Sequence, residues 1–407
     1  MHWLLWYAHH FAQAEEDPSL NKFLRLPPGL SMEVSYVAEP MIEPLSGVWG
    51  YAHGIELMTQ LSLGFVHEDV STWKEYDHWI LTLDVQQYAD TGDFGEKIGV
   101  VNPTQEIFNP AGVYLGELSF TRNPGDGKLY LKVGSISADA DFLSPEITGM
   151  YTHATFNNQY NVSMEIFPIS PMNALGGVVG YELTERLLLR TGVYQLSSIR
   201  TDFDKRGWDF TTTLDDGMIE FVQLDGMIGS STDSLDICPP DDHTFSRHAY
   251  NCDGVEHVIN ELPNGSWQLG AFFSQNEKIQ DERTANHGVY GNITLPVELG
   301  VGAGHRLWVS GVYGLHPERN PIPLWGGAGM VSQGLFEKRP LDLLLLGFSW
   351  SQFSMTDWEQ RELLLEIEYS FALSDTIVLQ PNIQWFMDTG VQNNQPLVLG
   401  ASFQAGL

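Results

Sequence analysis

The sequence predicts an all-β fold, a transmembrane antiparallel β-barrel of about 16 strands, and three observations support this. Short segments between residues 30 and 407 alternate apolar residues with small or polar ones at a period of two. Each segment has about 10 residues, the length that a tilted strand needs to cross a bilayer. The links between segments are alternately short and long, as expected when tight turns lie at one membrane face and loops at the other.

The segments are read in order along the chain, and the last ones are the clearest. In 362–371, Leu363 and Ile367 share one face and Glu366 and Glu368 share the other. A soluble β-sandwich needs apolar inward faces, so a carboxylate-bearing face favours a wall between lipid and water. The expected strands are 30–39, 54–65, 79–88, 113–122, 128–137, 172–182, 187–196, 217–226, 266–275, 289–298, 306–314, 325–335, 343–353, 362–371, 377–386 and 397–407.

Composition restricts the partners of the chain. The 407 residues carry 52 Asp plus Glu against 20 Lys plus Arg, a formal charge of -32. This charge argues against nucleic-acid and anionic-lipid partners, because both need basic patches, and neutral or cationic solutes are favoured over anionic ones. No apolar run approaches the ~18 residues of a membrane helix, so a membrane would have to be crossed by strands.

Two further features bear on export. Ala12-Gln13-Ala14 follows an apolar stretch and resembles a signal-peptidase site, so residues 1–14 are expected to be a signal-peptide remnant and 15–29 an N-terminal segment before a barrel at 30–407. Cys238 and Cys252 lie in a polar insertion at 227–265, and a disulfide between them is expected in an exported protein. This insertion is either a periplasmic element or the sign of a miscounted strand.

Aromatic residues near the strand ends are candidates for the interfacial girdles of a membrane barrel. The alternative is the ordinary preference of aromatic residues for strands. The candidates are Trp79, Tyr88, Tyr114, Trp308, Trp350 and Trp385.

Several motifs bring a known family into view. These motifs occur in a fixed order, first between residues 115 and 194 and then near the C-terminus. The first set is Leu115-Gly116-Glu117-Leu118, the run from Asp126 to Gly134, Asp141-Phe142, Phe156-Asn157-Asn158, Phe167-Pro168, Gly176 and Gly192-Val193-Tyr194. The second set is Glu366-Ile367-Glu368-Tyr369 and 379–385. The sequence resembles the carbohydrate-selective porins of the OprB type over residues 50–407, with a gap at 227–260. It departs from them in its terminal Leu407, its cysteine insertion and its few arginines.

The resemblance implies a sixteen-stranded barrel in the bacterial outer membrane, an inward-folded constriction loop, and diffusion selective for mono- and disaccharides. The long link at 138–171 is the candidate loop, because its aromatic faces can stack on a sugar ring while its carboxylates and amides bind hydroxyls. The expected solute-binding residues of this loop are Asp139, Asp141, Phe142, Glu146, Tyr151, His153, Asn157 and Asn158.

On the wall, the alternation places a second set of polar residues in the lumen, where water offsets the cost of charge. Each of these can contact solute or form a structural salt bridge. The set is Glu117, Lys132, Arg190, Glu366, Glu368, Gln380, Asn382 and Gln384, with Glu56, Gln60 and Asp84 beside them.

The function expected from the sequence is passive, sugar-preferring diffusion of small polar solutes through a water-filled lumen, without catalysis. Paired carboxylates such as Glu366 and Glu368 point the same way on one strand, and no nucleophile, metal or cofactor motif stands out. Outer-membrane lipid and the barrel assembly machinery are expected partners, and a homo-oligomer is an option. Two alternatives remain: a porin for cationic amino acids or inorganic ions, and a soluble exported β-sandwich that binds carbohydrate.

Overall fold

The structure is a computed structural model of the chain, and it describes most of the residues. The described ranges are 24–27, 29–63, 79–92, 94–124, 128–143, 145–157, 168–196, 205–211, 217–228, 262, 265–279, 282–353, 355, 357, 360–374, 376–389 and 395–406.

Sixteen antiparallel strands form one closed barrel in which each strand pairs with its neighbours in the chain. The ring closes where β1 pairs with β16, with Ser35 opposite Gly406. The strands are β1 Leu30–Glu43, β2 Val48–Leu63, β3 Trp79–Asp90, β4 Gly112–Arg122, β5 Leu129–Ile136, β6 Ala174–Thr184, β7 Leu187–Leu196, β8 Gly217–Ile228, β9 Gly265–Ile279, β10 Glu282–Val297, β11 Gly304–Gly314, β12 Leu324–Gln333, β13 Leu343–Gln352, β14 Arg361–Ala372, β15 Ile377–Asp388 and β16 Leu397–Gly406.

Every predicted segment corresponds to one strand, so the barrel prediction is confirmed and the soluble β-sandwich alternative is wrong. The largest boundary differences are in two hairpins. β2 begins at Val48 rather than 54, and β10 begins at Glu282 rather than 289. Both hairpins extend at the end of the barrel opposite the chain termini. The contrast between lipid and water that produces alternation does not apply to residues beyond the membrane.

The two faces of the wall differ as predicted. Outward-facing apolar side chains are exposed on strands all round the barrel, for example Val133 on β5, Val309 on β11 and Ile383 on β15. Glu366 and Glu368 on β14 face inward and are buried. Exposed apolar groups on the outside match a lipid solvent.

The inner face also carries aromatic residues, which corrects the girdle assignment. Tyr88, Tyr114 and Trp308 point into the barrel and are buried. Trp385 points outward and is exposed, as expected for a girdle residue. Periodicity alone cannot separate an aromatic that meets lipid from one that packs against an internal loop.

The cysteine insertion joins β8 to β9, at the barrel end that also holds the start of β1 and the end of β16. Because the strand count before it is eight, no strand was missed. Short turns such as 185–186 lie at this end and the longest described loop lies at the other, so this end is the periplasmic one. Cys238 and Cys252, and with them the expected disulfide, lie outside the described residues, as do residues 1–14.

Helices are few and short in the described part of the chain. α1 is Phe94–Ile98 and α2 is Ala154–Asn157, with 3-10 turns at Thr148–Met150 and Pro317–Arg319. None of the described helices has the length and apolar character needed to cross a membrane.

Candidate functional site

The described parts of the link between β5 and β6, residues 137–143, 145–157 and 168–173, fold into the barrel; we call the link, residues 137–173, the constriction loop. Phe142 packs against β7 and β8, whereas the backbone around Thr152 bonds to β14. In a closed ring of sixteen strands, β7 and β8 lie seven and six strands away from β14, close to half a circumference. The loop therefore crosses the bore, and the predicted inward fold of this segment is confirmed.

Phe142 fixes the near side of the loop. Its ring stacks on Phe221 with a centroid distance of 5.1 Å and meets the edge of Tyr194 at 6.3 Å. A Cβ on Gly192 would lie 2.6 Å from this ring, so the position requires glycine. Leu143 N donates to Gln223 Oε1 at 2.8 Å, which adds a polar contact to the same anchor.

Tyr151 and Phe156 fix the far side. Their rings lie 4.9 Å apart, and both meet Trp308 edge-on. Trp308 Nε1 donates to the Tyr151 hydroxyl at 3.0 Å, and that hydroxyl donates to Leu346 O at 2.9 Å. Both rings lie over Gly347, where a Cβ would come within 2.8 Å of Tyr151.

Carboxylates of β14 hold the loop backbone between these anchors. Glu368 accepts from both the N and the Oγ1 of Thr152, each at 2.8 Å. Glu366 accepts from His153 N at 3.1 Å. Gln380 Nε2 donates to Met150 O at 2.8 Å and also bonds Glu368. These bonds come from two neighbouring strands and act on Met150, Thr152 and His153 of the loop, so β14 and β15 position the loop.

The base of the loop rests on an ion pair. Lys132 on β5 pairs with Glu117 on β4 at 3.0 Å and approaches Asp141 at 3.8 Å. All three side chains are largely buried. The pair links the wall to the point where the chain turns inward.

A second segment, residues 91–111 between β3 and β4, also folds inward, which the sequence did not indicate. Phe94 of α1 packs against Gly50 of β2, where an added Cβ would lie 2.6 Å from the Phe94 side chain. Glu362 on β14 accepts from Val101 N at 2.8 Å and from Asn102 Nδ2 at 2.5 Å. This β3–β4 segment thus bonds to the same wall as the constriction loop.

Gln384 on β15 joins the two inward segments. Its Nε2 donates to Thr104 O and to Glu366 Oε1, each at 2.9 Å. Glu366 in turn accepts from His153 N. The inner face of β14 and β15 is therefore the common anchor of both loops.

Acidic groups line another part of the inner wall. Glu56 on β2 and Asp84 on β3 are buried and both accept from Gln86 Nε2, at 3.1 and 2.5 Å. Ser170 of the constriction loop donates to Gln86 Oε1 at 3.2 Å. The loop thereby reaches the acidic sector as well as β14.

Arg190 on β7 lies in a different inner sector. Its Nε and Nη2 donate to the two oxygens of Asp225, at 2.9 and 2.8 Å. The Arg190 and Asp225 side chains keep 19% and 17% of their surface exposed, unlike the buried β14 carboxylates. Gln223 Nε2 also donates to Asp225, at 2.7 Å.

Two titratable groups of the constriction loop are strongly perturbed. Burial lowers the pKa of His153 from 6.5 to about 3. Burial raises the pKa of Asp139 from 3.8 to about 6, partly offset by hydrogen bonds from Ser137 and the backbone of Ser170. At neutral pH the loop therefore holds a neutral imidazole and an ionised Asp139.

The predicted site residues fall into two groups. Glu146 is exposed and Arg190 is partly exposed, whereas the others in the described residues are buried. Most of the buried ones lie in contacts between loop and wall or within the loop; Asn382 instead lies against Gly400, and both its amide atoms are buried without a hydrogen-bond partner among the residues that the structure describes. Asn158 lies outside the described residues. The buried ones are Asp139, Asp141, Phe142, Tyr151, His153, Asn157, Glu117, Lys132, Glu366, Glu368, Gln380, Asn382 and Gln384. Their contact with solute stays a prediction.

Sequence reasoning missed Glu362, Gln223 and the inward glycines beneath the loop aromatics. Glu362 alternates in register with Glu366 and Glu368, which was a usable signal. Gly192 and Gly347 carried a weaker one, since glycine inside a strand often marks a close approach of another group.

A closed barrel with an apolar outer face, polar groups inside and a loop folded across its bore defines a porin of the outer membrane. The carbohydrate-selective porin family OprB matches residues 73–406. The structure resembles that of Pseudomonas putida OprB at high pH with a TM-score of 0.72 and 15% identity, covering 93% of this chain and 94% of that one. For the low-pH structure of the same porin the TM-score is 0.55 at 14% identity, covering 93% of each chain. No curated protein sequence matches the chain.

The chain belongs to the OprB family of carbohydrate-selective porins. Its fold, its outer-membrane location and its passage of small polar solutes with a preference for sugars follow from this membership. Proteins of this family and fold are channels rather than enzymes.

Proposed function

We propose that the chain passes small neutral sugars by passive diffusion, and that the constriction loop sets the width and selectivity of the passage. The supporting observation is the loop crossing the bore between β7–β8 and β14. Selectivity in such a channel follows from pore radius and from the polar groups that replace hydration water. The chain is proposed to do this without any catalytic step.

The buried carboxylates and amides of β14 and β15 are proposed to position the loop. Glu366, Glu368, Gln380 and Gln384 each bond to loop backbone or to one another. These bonds use the oxygens and amide protons that a sugar would need. Their effect on transport would then be indirect, through the place where the loop sits.

Direct contact with solute is proposed for the less buried polar groups. Arg190 and Asp225 present a fixed guanidinium–carboxylate pair on the inner wall. Glu146 of the constriction loop is exposed. A planar guanidinium and a carboxylate side by side offer both donors and acceptors to sugar hydroxyls.

A second candidate is a porin for cationic amino acids or inorganic cations. The buried acidic sector of Glu56, Asp84 and Glu117 favours it, as does the formal charge of -32. Both solute classes can use one lumen, and their relative permeability decides between them.

The test is liposome swelling in monosaccharides, disaccharides and cationic amino acids, together with reversal potentials in a salt gradient. Swelling in sugars faster than in cationic amino acids of similar size supports the sugar passage. Strong cation selectivity, without sugar swelling and without reduction of the ion current by sugar, would contradict it.

Two partners belong to the proposal as well. Insertion by the barrel assembly machinery fits a closed barrel that must reach the outer membrane without an open strand edge. A homo-oligomer is compatible with the apolar outer face. Crosslinking in native membranes tests the oligomer.

A further inference from the structure

The wall between β4 and β5 is incomplete toward the extracellular end. β4 pairs with β3 from Gly112 to Arg122 but with β5 only from Leu118 to Arg122. β5 ends at Ile136, where the chain turns into the bore. The upper part of β4 therefore has no β5 neighbour in the ladder.

A piece of the β7–β8 loop covers this part of β4; we call residues 205–211 the rim segment. Arg206 O accepts from Leu115 N at 3.0 Å, and Trp208 Nε1 donates to Val113 O at 3.1 Å. Gly207 has φ +74°, and a Cβ there would lie 2.8 Å from Leu115 O. The rim segment is held against β4 by fixed backbone and indole bonds.

The free side of the rim segment combines apolar and cationic groups. Trp208 and Phe210 are 48% and 46% exposed, and Val113 on the outer face of β4 is 46% exposed. The Lys205 side chain is 48% exposed. Arg206 is also exposed, although its side chain lies against Gly112 of β4, where a Cβ would be 2.8 Å from Arg206 Nε. The formal charge of -32 disfavours anionic lipid for the chain as a whole, but two adjacent cations lie beside exposed aromatics here; the only other adjacent Lys-Arg pair in the sequence is Lys338-Arg339.

We propose that the rim segment binds a phosphorylated lipid of the outer leaflet, independently of the solute that the lumen carries. Lys205 and Arg206 would pair with the headgroup phosphate, and Trp208 and Phe210 would pack on the acyl chains. Aromatic residues favour the membrane interface, and both cations suit phosphate. The exposed aromatics select a lipid over free phosphate, which has no apolar part.

The segment is preorganised for this role. The bonds from Trp208 and to Arg206 fix its backbone before any lipid arrives, so less ordering entropy is lost on binding. Asp209 lies 3.9 Å from Lys205 and competes for its charge. Removing that competing charge should therefore strengthen lipid binding.

The experiment is a native mass-spectrometry titration of the detergent-solubilised porin with bisphosphorylated lipid A, its monophosphorylated form and phosphatidylcholine. We expect the affinity to fall in that order. The double variant K205Q/R206Q should bind the bisphosphorylated lipid at least about tenfold more weakly, since two charged contacts are lost. The control is K338Q, an exposed lysine near the exposed Phe336 on the periplasmic turn 334–342, and it should bind as the unmodified protein does.

A second variant covers the case in which the double variant does not fold. D209N keeps the acceptor for Thr211 N but removes the charge near Lys205, so it should bind the lipid more tightly. Equal affinity of all variants for the bisphosphorylated lipid would overturn the proposal. Displacement of the lipid by millimolar inorganic phosphate would also overturn it, since the site would then be one for free phosphate.

Discussion

At the scale of single residues, the inner wall is shaped by where side chains are missing. Gly192 lies under Phe142, and Gly347 lies under Tyr151 and Phe156. These glycines create the space into which the loop aromatics pack. On the far side, Gly347 and Trp308 form the pocket that holds Tyr151 and Phe156, which we call the far pocket. A side chain in that space must displace the loop, because close-packed interiors do not absorb extra atoms.

Gly347→Val should widen the passage. The added methyl groups would overlap the Tyr151 and Phe156 rings, at an overpacking cost of about 1–3 kcal/mol. Loop displacement should raise the single-channel conductance in planar bilayers. Gly326→Val is the matched control, since a Cβ there has no heavy atom within 4 Å, and its conductance should equal that of the unmodified protein. Equal conductance of both variants would contradict the anchoring role of the far pocket.

Glu368→Gln should loosen the loop without changing its volume. The carboxylate accepts from Thr152 N, Thr152 Oγ1 and Gln380 Nε2, so an amide would set one NH2 against a donor. A mismatch of this kind costs about 1–3 kcal/mol, or about 5- to 150-fold in loop opening. Hydrogen-exchange mass spectrometry should show lower protection at 145–157. Glu337→Gln, on an exposed periplasmic turn, is the control; unchanged protection in the Glu368 variant would argue against the anchor.

At the scale of elements, the β14–β15 pair is the foundation of the site. It bonds to the constriction loop through Glu366 and Glu368 and to the β3–β4 segment through Glu362 and Gln384. The two inward segments are therefore mechanically linked. A substitution that shifts β14 or β15 should therefore displace both the constriction loop and the β3–β4 segment.

Acidity should act on loop docking through two groups with opposite signs. His153 keeps a pKa of about 3 when docked, against 6.5 when exposed, so docking weakens as the pH falls from about 6.5 toward 3. Asp139 has a docked pKa of about 6 against 3.8 when exposed, so docking strengthens as the pH falls from about 6 to 3.8.

The variants Asp139→Asn and His153→Asn separate these effects. The first should lose protection at 145–157 on acidification more steeply than the unmodified protein. The second should gain protection between pH 6 and 4. Protection factors corrected for the intrinsic exchange rate provide the measurement. Identical pH profiles of the three proteins would contradict both assignments.

The strands were predictable from the sequence because one face of each strand meets lipid and the other meets the polar interior of the barrel. Neighbouring residues such as Glu366 and Ile367 differ sharply in polarity, and in the barrel Glu366 faces inward and Ile367 faces outward. The loops were harder to predict. The inward course of residues 91–111 depends on tertiary bonds, such as Val101 N to Glu362, which leave no periodic signal.

The candidate site was predictable in position but not in detail. Inward facing of the predicted wall residues, among them Lys132 and Gln384, follows from alternation and is confirmed. Their burial beneath the loop could not be read from the chain, because it depends on where the loop docks. Trp308 shows the same limit, since a strand aromatic meets lipid or a loop according to its face.

At the scale of the whole molecule, the barrel separates two environments. Its outside meets lipid with exposed apolar residues such as Leu269 and Val309, and its inside gathers acids, amides and ion pairs such as Lys132–Glu117 and Arg190–Asp225. Closure between β1 and β16 removes the open edge that lipid would not tolerate. The inward loop converts this wide cylinder into a selective passage.

Liposome swelling across a size series of neutral saccharides tests that passage most directly. Monosaccharides should enter fast, disaccharides more slowly and longer oligosaccharides near the rate of protein-free liposomes, because the constriction loop crosses the bore. The same preparation should show the heat-modifiable gel mobility of a folded barrel. A folded barrel that admits monosaccharides no faster than protein-free liposomes would contradict a sugar-conducting lumen.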